Sequence, residues 1–167
     1  MIKRMFFLIP LLVLIISCSD FEFVYNIAKF DKIKEKTLFS ISGDNKEIIN
    51  SYLLNKIGKA QSDPAYALSI VSSGSIEATV IQADATASKF MIKHDLKYTL
   101  NNISKNCMIF EKNILTKILY DAKSAGYSFG TDLAKKELSE KNLHSNIDQF
   151  LNELSINYDY LECKNEG

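Results

Sequence analysis

Tryptophan is absent from this chain, histidine occurs twice, proline twice and cysteine three times among 167 residues. Each scarcity removes a class of chemistry. No His-Glu-x-x-His or paired-cysteine metal motif is present, so no metal site is expected. His94 falls on the apolar face of an alternating segment, where a core role is expected. Ser72-Ser73-Gly74-Ser75 lacks the strand-to-helix setting of a nucleophile elbow. Gly126 to Gly130 is followed by no Lys-Ser/Thr pair, so it is no phosphate loop. The sequence therefore predicts neither a catalytic residue nor a cofactor, and a protein that is not an enzyme. Charge of one sign is also missing: 20 basic side chains stand against 20 acidic ones. Without a basic surplus, nucleic acid is not an expected partner.

Long apolar runs are reduced to one, and that one is informative. Met5 to Ile16 spans about a dozen residues, short of the ~20 that cross a bilayer. Lys3 and Arg4 precede it, and Ile15-Ile16-Ser17-Cys18 closes it. Charge, apolar stretch, small residue and cysteine in that order read as a bacterial lipoprotein signal. Cys18 is then the acylated N-terminus of the mature protein, and residues 1–17 are the signal peptide. Two or more acyl chains hold a protein stably on a membrane, at ~0.8 kcal/mol per buried methylene. Ser19 rather than Asp at the next position favours the outer membrane. Cleavage removes Lys3 and Arg4, leaving 18 basic against 20 acidic side chains, a net charge of −2. The remaining cysteines, Cys107 and Cys163, would lie in a disulfide-permissive compartment. One bridge between them is possible; two unpaired thiols are the alternative.

Residues 18–35 read as a lipid-anchored tether, with Phe21, Phe23, Tyr25 and Phe30 and then a run of lysines. Residues 36–160 read as one α+β domain. A strand is expected from Thr37 to Ser42. Asp44 with Glu47 predicts a capping box opening a helix, which Gly58 ends. Tyr66 to Val71 alternates as a strand, Ser72 to Ser75 breaks it, and Ile76 to Ile81 resumes it. Gln82 to Ser88 is a loop or hairpin tip. Phe90 to Leu100 is the clearest strand, with Ile92 and Leu96 on one face and Lys93 and Lys97 on the other. A further strand within Cys107 to Tyr120 slips in alternation near Glu111 to Asn113, which predicts a bulge. The last helix runs from Gly130 to Leu154, burying Leu143, Ile147, Phe150, Leu151 and Leu154. The expected architecture is a two-layer sandwich with two helices on one face of a four-stranded sheet.

In that order of elements the chain resembles the LptE family, the lipopolysaccharide-assembly lipoproteins of Gram-negative outer membranes. Phe21-Glu22-Phe23-Val24-Tyr25 is similar to a Phe-x-Pro-Leu-Tyr of some members, with Phe23 in the place of proline. Ser42-Gly43-Asp44 matches the family's strand–turn–helix, Ala87 to Leu100 its middle strand, and Leu133-Ala134-Lys135 the opening of its last helix. The resemblance implies a plug inside an LptD-type β-barrel, anchored to the outer membrane through its N-terminal lipid and facing the periplasm. It also implies lipopolysaccharide as a ligand. Lys135 takes the place of the family's basic residue at the last helix, with Lys136 beside it near the anion-attracting helix N-terminus. Gln82 stands where the family has a second basic residue, and Lys89 or Lys93 is the nearest substitute. A secretin pilotin, a surface adhesin, or a periplasm-facing lipoprotein with no transport role remain as alternatives.

The lipoprotein reading has a direct check. Intact mass should show loss of residues 1–17 plus acyl mass, and Cys18→Ala should leave an uncleaved precursor. Normal processing of that variant would refute it.

Overall fold

The computed structural model describes residues 33–61, 63–81, 87–121, 128–157 and 162–163; Cys18, the signal, most of the tether and Gln82 lie outside them. Within it, β1 (Thr37–Gly43) is followed by α1 (Lys46–Ile57), β2 (Tyr66–Ile81), β3 (Ala87–Asn102), β4 (Cys107–Asp121) and α2 (Ser128–Asn157). The sheet order is β1-β2-β3-β4. β1 and β2 are parallel, joined by the α1 crossover that parallel pairing requires, and the other pairs are antiparallel. Both helices lie on one face, α1 against β1 and α2 against β3 and β4. The expected α+β sandwich is the observed one.

Alternation along β3 sets the two faces. Ile92, His94, Leu96, Tyr98 and Leu100 are buried beneath the helices, while Lys97 is exposed. From α1 come Ile49, Leu53 and Ile57; from α2 come Leu143, Ile147, Phe150, Leu151 and Leu154. Tyr98 stacks on Phe150 with ring centroids 4.0 Å apart. Ile33, placed in the tether by sequence, is already part of this core at 3% exposure.

Three local expectations are corrected. First, β2 does not break at Ser72 to Ser75; it pairs continuously with β3 through Ser72↔Leu96, Ser73↔Asp95, Gly74↔His94 and Ser75↔Lys93. Small residues here make room rather than a turn. A Cβ on Gly74 would lie 3.2 Å from His94 Nδ1, and one on Gly43 would lie 1.9 Å from the Ser72 carbonyl oxygen. Second, Asp44 does not cap α1. Asn45, at φ 58°, holds that position with no side-chain cap bond. The Asp44 carboxylate accepts from the Gly74 N–H at 2.9 Å, and the Asp44 N–H donates to the Ser72 carbonyl at 2.9 Å. Asp44 thus continues the edge of β2 where β1 stops. Third, the register shift between β3 and β4 falls at Leu100↔Phe110 and Asn101↔Met108, not at Glu111 to Asn113. Gly58 ends α1 as expected, with φ 83° and its N–H on the Leu54 carbonyl.

Polar groups also sit beneath α2. Asn146 Nδ2 donates to the Ile114 carbonyl at 2.8 Å and to Thr116 Oγ1 at 3.1 Å, and Asn146 Oδ1 accepts from Tyr98 at 2.8 Å. Asn142 reaches the Ile92 and Thr116 carbonyls, both at 3.4 Å. His94 Nε2 lies 3.0 Å from Ser139 Oγ. Among the described residues, His94 Nδ1 and Ser72 Oγ, with Asp95 Oδ1 on the other face of β3, are buried without a partner. Cys107 and Cys163 are joined as a disulfide, with Cα atoms 5.5 Å apart and a sequence separation of 56. Closing a loop of that length removes of order 4 kcal/mol of unfolded-state entropy on the chain-entropy account.

Two measurements test this packing. Leu96 is fully buried, so Leu96→Ala should cost ~2–5 kcal/mol in denaturant unfolding. Lys97 meets Glu111 at 2.6 Å on the surface, so Lys97→Ala should cost less than ~1 kcal/mol; equal costs would mean a wrong register. His94 gives a pH signature. Burial lowers its pKa, against the opposing pull of Ser139 and Asp44, so the folded state binds its proton less readily than the unfolded chain. Stability should therefore fall as pH drops below the unfolded value near 6.5, with the loss complete below the folded pKa. His94→Asn should flatten that slope between pH 7 and 5; an unchanged slope would place the titrating group elsewhere.

Candidate functional site

The four lysines singled out from sequence do not converge. Lys89 and Lys93 project from the outer face of β3, and Lys135 and Lys136 belong to α2 on the opposite side of the sheet. Lys89 pairs with Asp121 at 3.6 Å and Lys93 with Glu77 at 2.5 Å. Lys135 is half-buried and Lys136 exposed. Since α2 begins at Ser128, both lie about two turns inside the helix. The macrodipole acts within the first turn, so the expected help from the helix N-terminus does not reach them.

Strand pairing assembles a cation site that the sequence reading missed. Lys93 stands directly opposite Lys117 of β4. Like charges so placed repel, because their Cβ atoms are ~4.5–5.5 Å apart. Glu77 is the carboxylate they share. A hydrogen bond from Lys93, with the charges of Lys93 and Lys117, holds its carboxyl below the usual range. Around this trio lie apolar side chains on the same solvent face. Met91 is opposite Leu119, and Asp95 is opposite Leu115, with Leu119 and Leu115 59% and 51% exposed. An anionic group carried on a hydrocarbon finds both of its chemical needs here, provided it displaces Glu77 from a lysine. The face as a whole is balanced, with Lys89, Lys93, Lys97 and Lys117 against Glu77, Asp95, Glu111 and Asp121. Its period-2 pattern in β4 is the signal that identifies Lys117, once the slip is placed before Phe110.

A second polar cluster joins the helices. Tyr52 donates to Asp148 at 2.7 Å, Lys56 pairs with Asp148 at 3.0 Å, and the His144 ring stacks on Tyr52 at 3.9 Å. Burial, reinforced by Asp148, pushes the Tyr52 hydroxyl up. Burial pulls Lys56 down, but Asp148 and Tyr52 outweigh it, and the net shift is upward. Both groups hold their protons more firmly than usual, which suits a clamp between α1 and α2 rather than proton transfer. Among the described residues, no group of three His, Cys, Asp or Glu is placed to hold a metal ion.

No protein-family model matches the chain, and no curated protein matches its sequence. Solved structures do share its fold. Rare lipoprotein B from Shewanella oneidensis superposes with a TM-score of 0.52 at 14% identity, over 74% of this chain and 98% of that one. The uncharacterized lipoprotein B from Nitrosomonas europaea gives 0.55 at 13% identity, over 76% and 89%. A candidate lipoprotein from Caulobacter crescentus CB15 gives 0.58 at 13% identity, over 82% and 99%. These identities speak for the fold alone. The chain has the two-helix, four-strand fold of rare lipoprotein B, which is the LptE-type fold.

Proposed function

We propose that this protein is an outer-membrane lipoprotein of the LptE type, anchored through Cys18 and facing the periplasm. On this reading it plugs an LptD-type β-barrel, helps that barrel assemble, and binds lipopolysaccharide on its way to the outer leaflet. The observation that carries the proposal is the span of the likeness, 98% of rare lipoprotein B, in a chain whose first 18 residues end in a lipobox. A small sandwich with a balanced, charged outer face suits the wet lumen of a large barrel. Lysines on both sides of the sheet offer charge-assisted contacts for lipid phosphates. Lys93 and Lys117, framed by Leu115 and Leu119, combine charge with apolar surface; Lys135 and Lys136 form a second basic position.

The test has a partner arm and a ligand arm. Tagged protein isolated from outer membranes should bring down a large β-barrel, and depletion should lower that barrel's level and perturb surface lipopolysaccharide. Lys135→Asp with Lys136→Asp should weaken lipopolysaccharide binding at least tenfold, as expected when a contact of ~1.5–3 kcal/mol is lost. The barrel complex should survive that change. Absence of any barrel partner, with surface lipopolysaccharide unaffected by depletion, would overturn the proposal.

A further inference from the structure

The segment between Cys18 and the domain is not composed like a linker. From Phe21 to Phe30, ten residues carry six large apolar side chains: Phe21, Phe23, Val24, Tyr25, Ile27 and Phe30. Solvated tethers are poor in aromatic and β-branched residues. This segment enters the fold at Ile33, whose carbonyl accepts from Thr37 Oγ1 at 2.9 Å, at the foot of β1.

The adjoining surface is short of cover. Among the described residues β1 is an edge strand, bonded only to β2. Its inward side chains Phe39 and Ile41 pack on the core yet are only partly buried. Between them and Lys46, Glu47 and Asn50 of α1 lies an open groove of about 280 Å³. Its floor is phenylalanine and isoleucine, which gain from apolar cover. A covering helix or loop is one of the ways in which proteins protect an edge strand.

We propose that residues Phe21–Phe30 dock in this groove, with their aromatic side chains over Phe39 and Ile41. Reach decides for this occupant. Ile41 lies four residues beyond Thr37, about 13 Å up the strand at ~3.3 Å per residue. Ten residues span ~15 Å as a helix and ~33 Å when extended, so either conformation arrives. Covalent attachment next to the groove also gives this segment a high effective concentration over any partner in solution. One consequence rests on the lipid-anchor reading above. Only Ser19 and Asp20 then separate the acylated cysteine from the docked body, which holds the β1–α1 edge against the membrane.

Photo-crosslinking tests the docking directly. The mature protein in detergent, carrying p-benzoylphenylalanine in place of Phe23, should on illumination form an intramolecular adduct at Phe39, Ile41, Lys46, Glu47 or Asn50. An adduct between two copies, or with detergent alone, would overturn the proposal. Full-length Cys18→Ser should give the same adduct, so loss of lipidation alone does not touch the docking result. As a second readout, Phe23→Ser with Tyr25→Ser should speed tryptic cleavage after Lys29 at least tenfold while circular dichroism is unchanged. Equal cleavage rates would also refute it.

Discussion

The grip of Asn142 and Asn146 on the carbonyls of β3 and β4 fixes how the two layers meet. A buried amide costs ~1–3 kcal/mol if it loses its partners, so α2 cannot slide or turn on the sheet without that penalty. The Asn146 Nδ2 group finds Ile114 at 2.8 Å, and its oxygen receives the Tyr98 hydroxyl. Tyr98 in turn stacks on Phe150, four residues beyond Asn146 on the same face of α2. Apolar packing alone would tolerate several helix positions. The asparagines select one, and with it the positions of Ser139 over His94 and of Lys135 one turn beyond.

That selection explains why the lysines are divided. The sheet is a wall one strand layer thick, and alternation sends residues of β3 to one side or the other without compromise. Odd-numbered residues of β3 look out, so Lys89, Lys93 and Lys97 share the outer face. Lys117 joins them because antiparallel register sets it across from Lys93. Lys135 and Lys136 ride on α2, behind the wall. Any ligand touching both sets has to pass around a border of the sheet or meet them in succession.

Much of the architecture was legible because β3 is the middle of the sheet's wettest and driest contrast. Ile92, Leu96 and Tyr98 against Lys93 and Lys97 leave no doubt about register, and Leu143, Ile147 and Phe150 mark α2 equally well. The misreadings share one cause: small or polar residues acting through tertiary contacts. Ser72 to Ser75 look like a turn, but Gly74 is small because the His94 ring occupies its space. Asp44 looks like a helix cap, but a long-range amide at Gly74 takes its carboxylate. The first half of α2 looks poorly amphipathic because its sheet-facing residues there include the polar Ser139 and Asn142. Lys117 went unnoticed for a different reason: only the pairing register of β3 with β4, which one strand's own alternation does not state, sets it opposite Lys93.

The strands are unequal, and this inequality organises the molecule. β1 has 7 residues whereas β2, β3 and β4 have 16, 16 and 15. At Gly43 the sheet passes from four strands to three, and Asp44 closes the exposed edge by taking the place of the next β1 residue. Below that line lie α1, the second half of α2, the Tyr52–Asp148 clamp, Ile33 and the Cys107–Cys163 bridge. Above it only the first half of α2 covers the sheet, and Ile76 is 44% exposed beside the stacked Phe90 and Tyr120. Resistance to local opening follows buried contact, so the lower half is the firmer one. Lys93, Lys117 and Lys135 all belong to the upper half. On the proposed role, the chain's firm end carries the lipid anchor, and its more open end meets the ligand. On that proposal, segregating the two would let the upper end adjust to a ligand without loosening the attachment at the lower one.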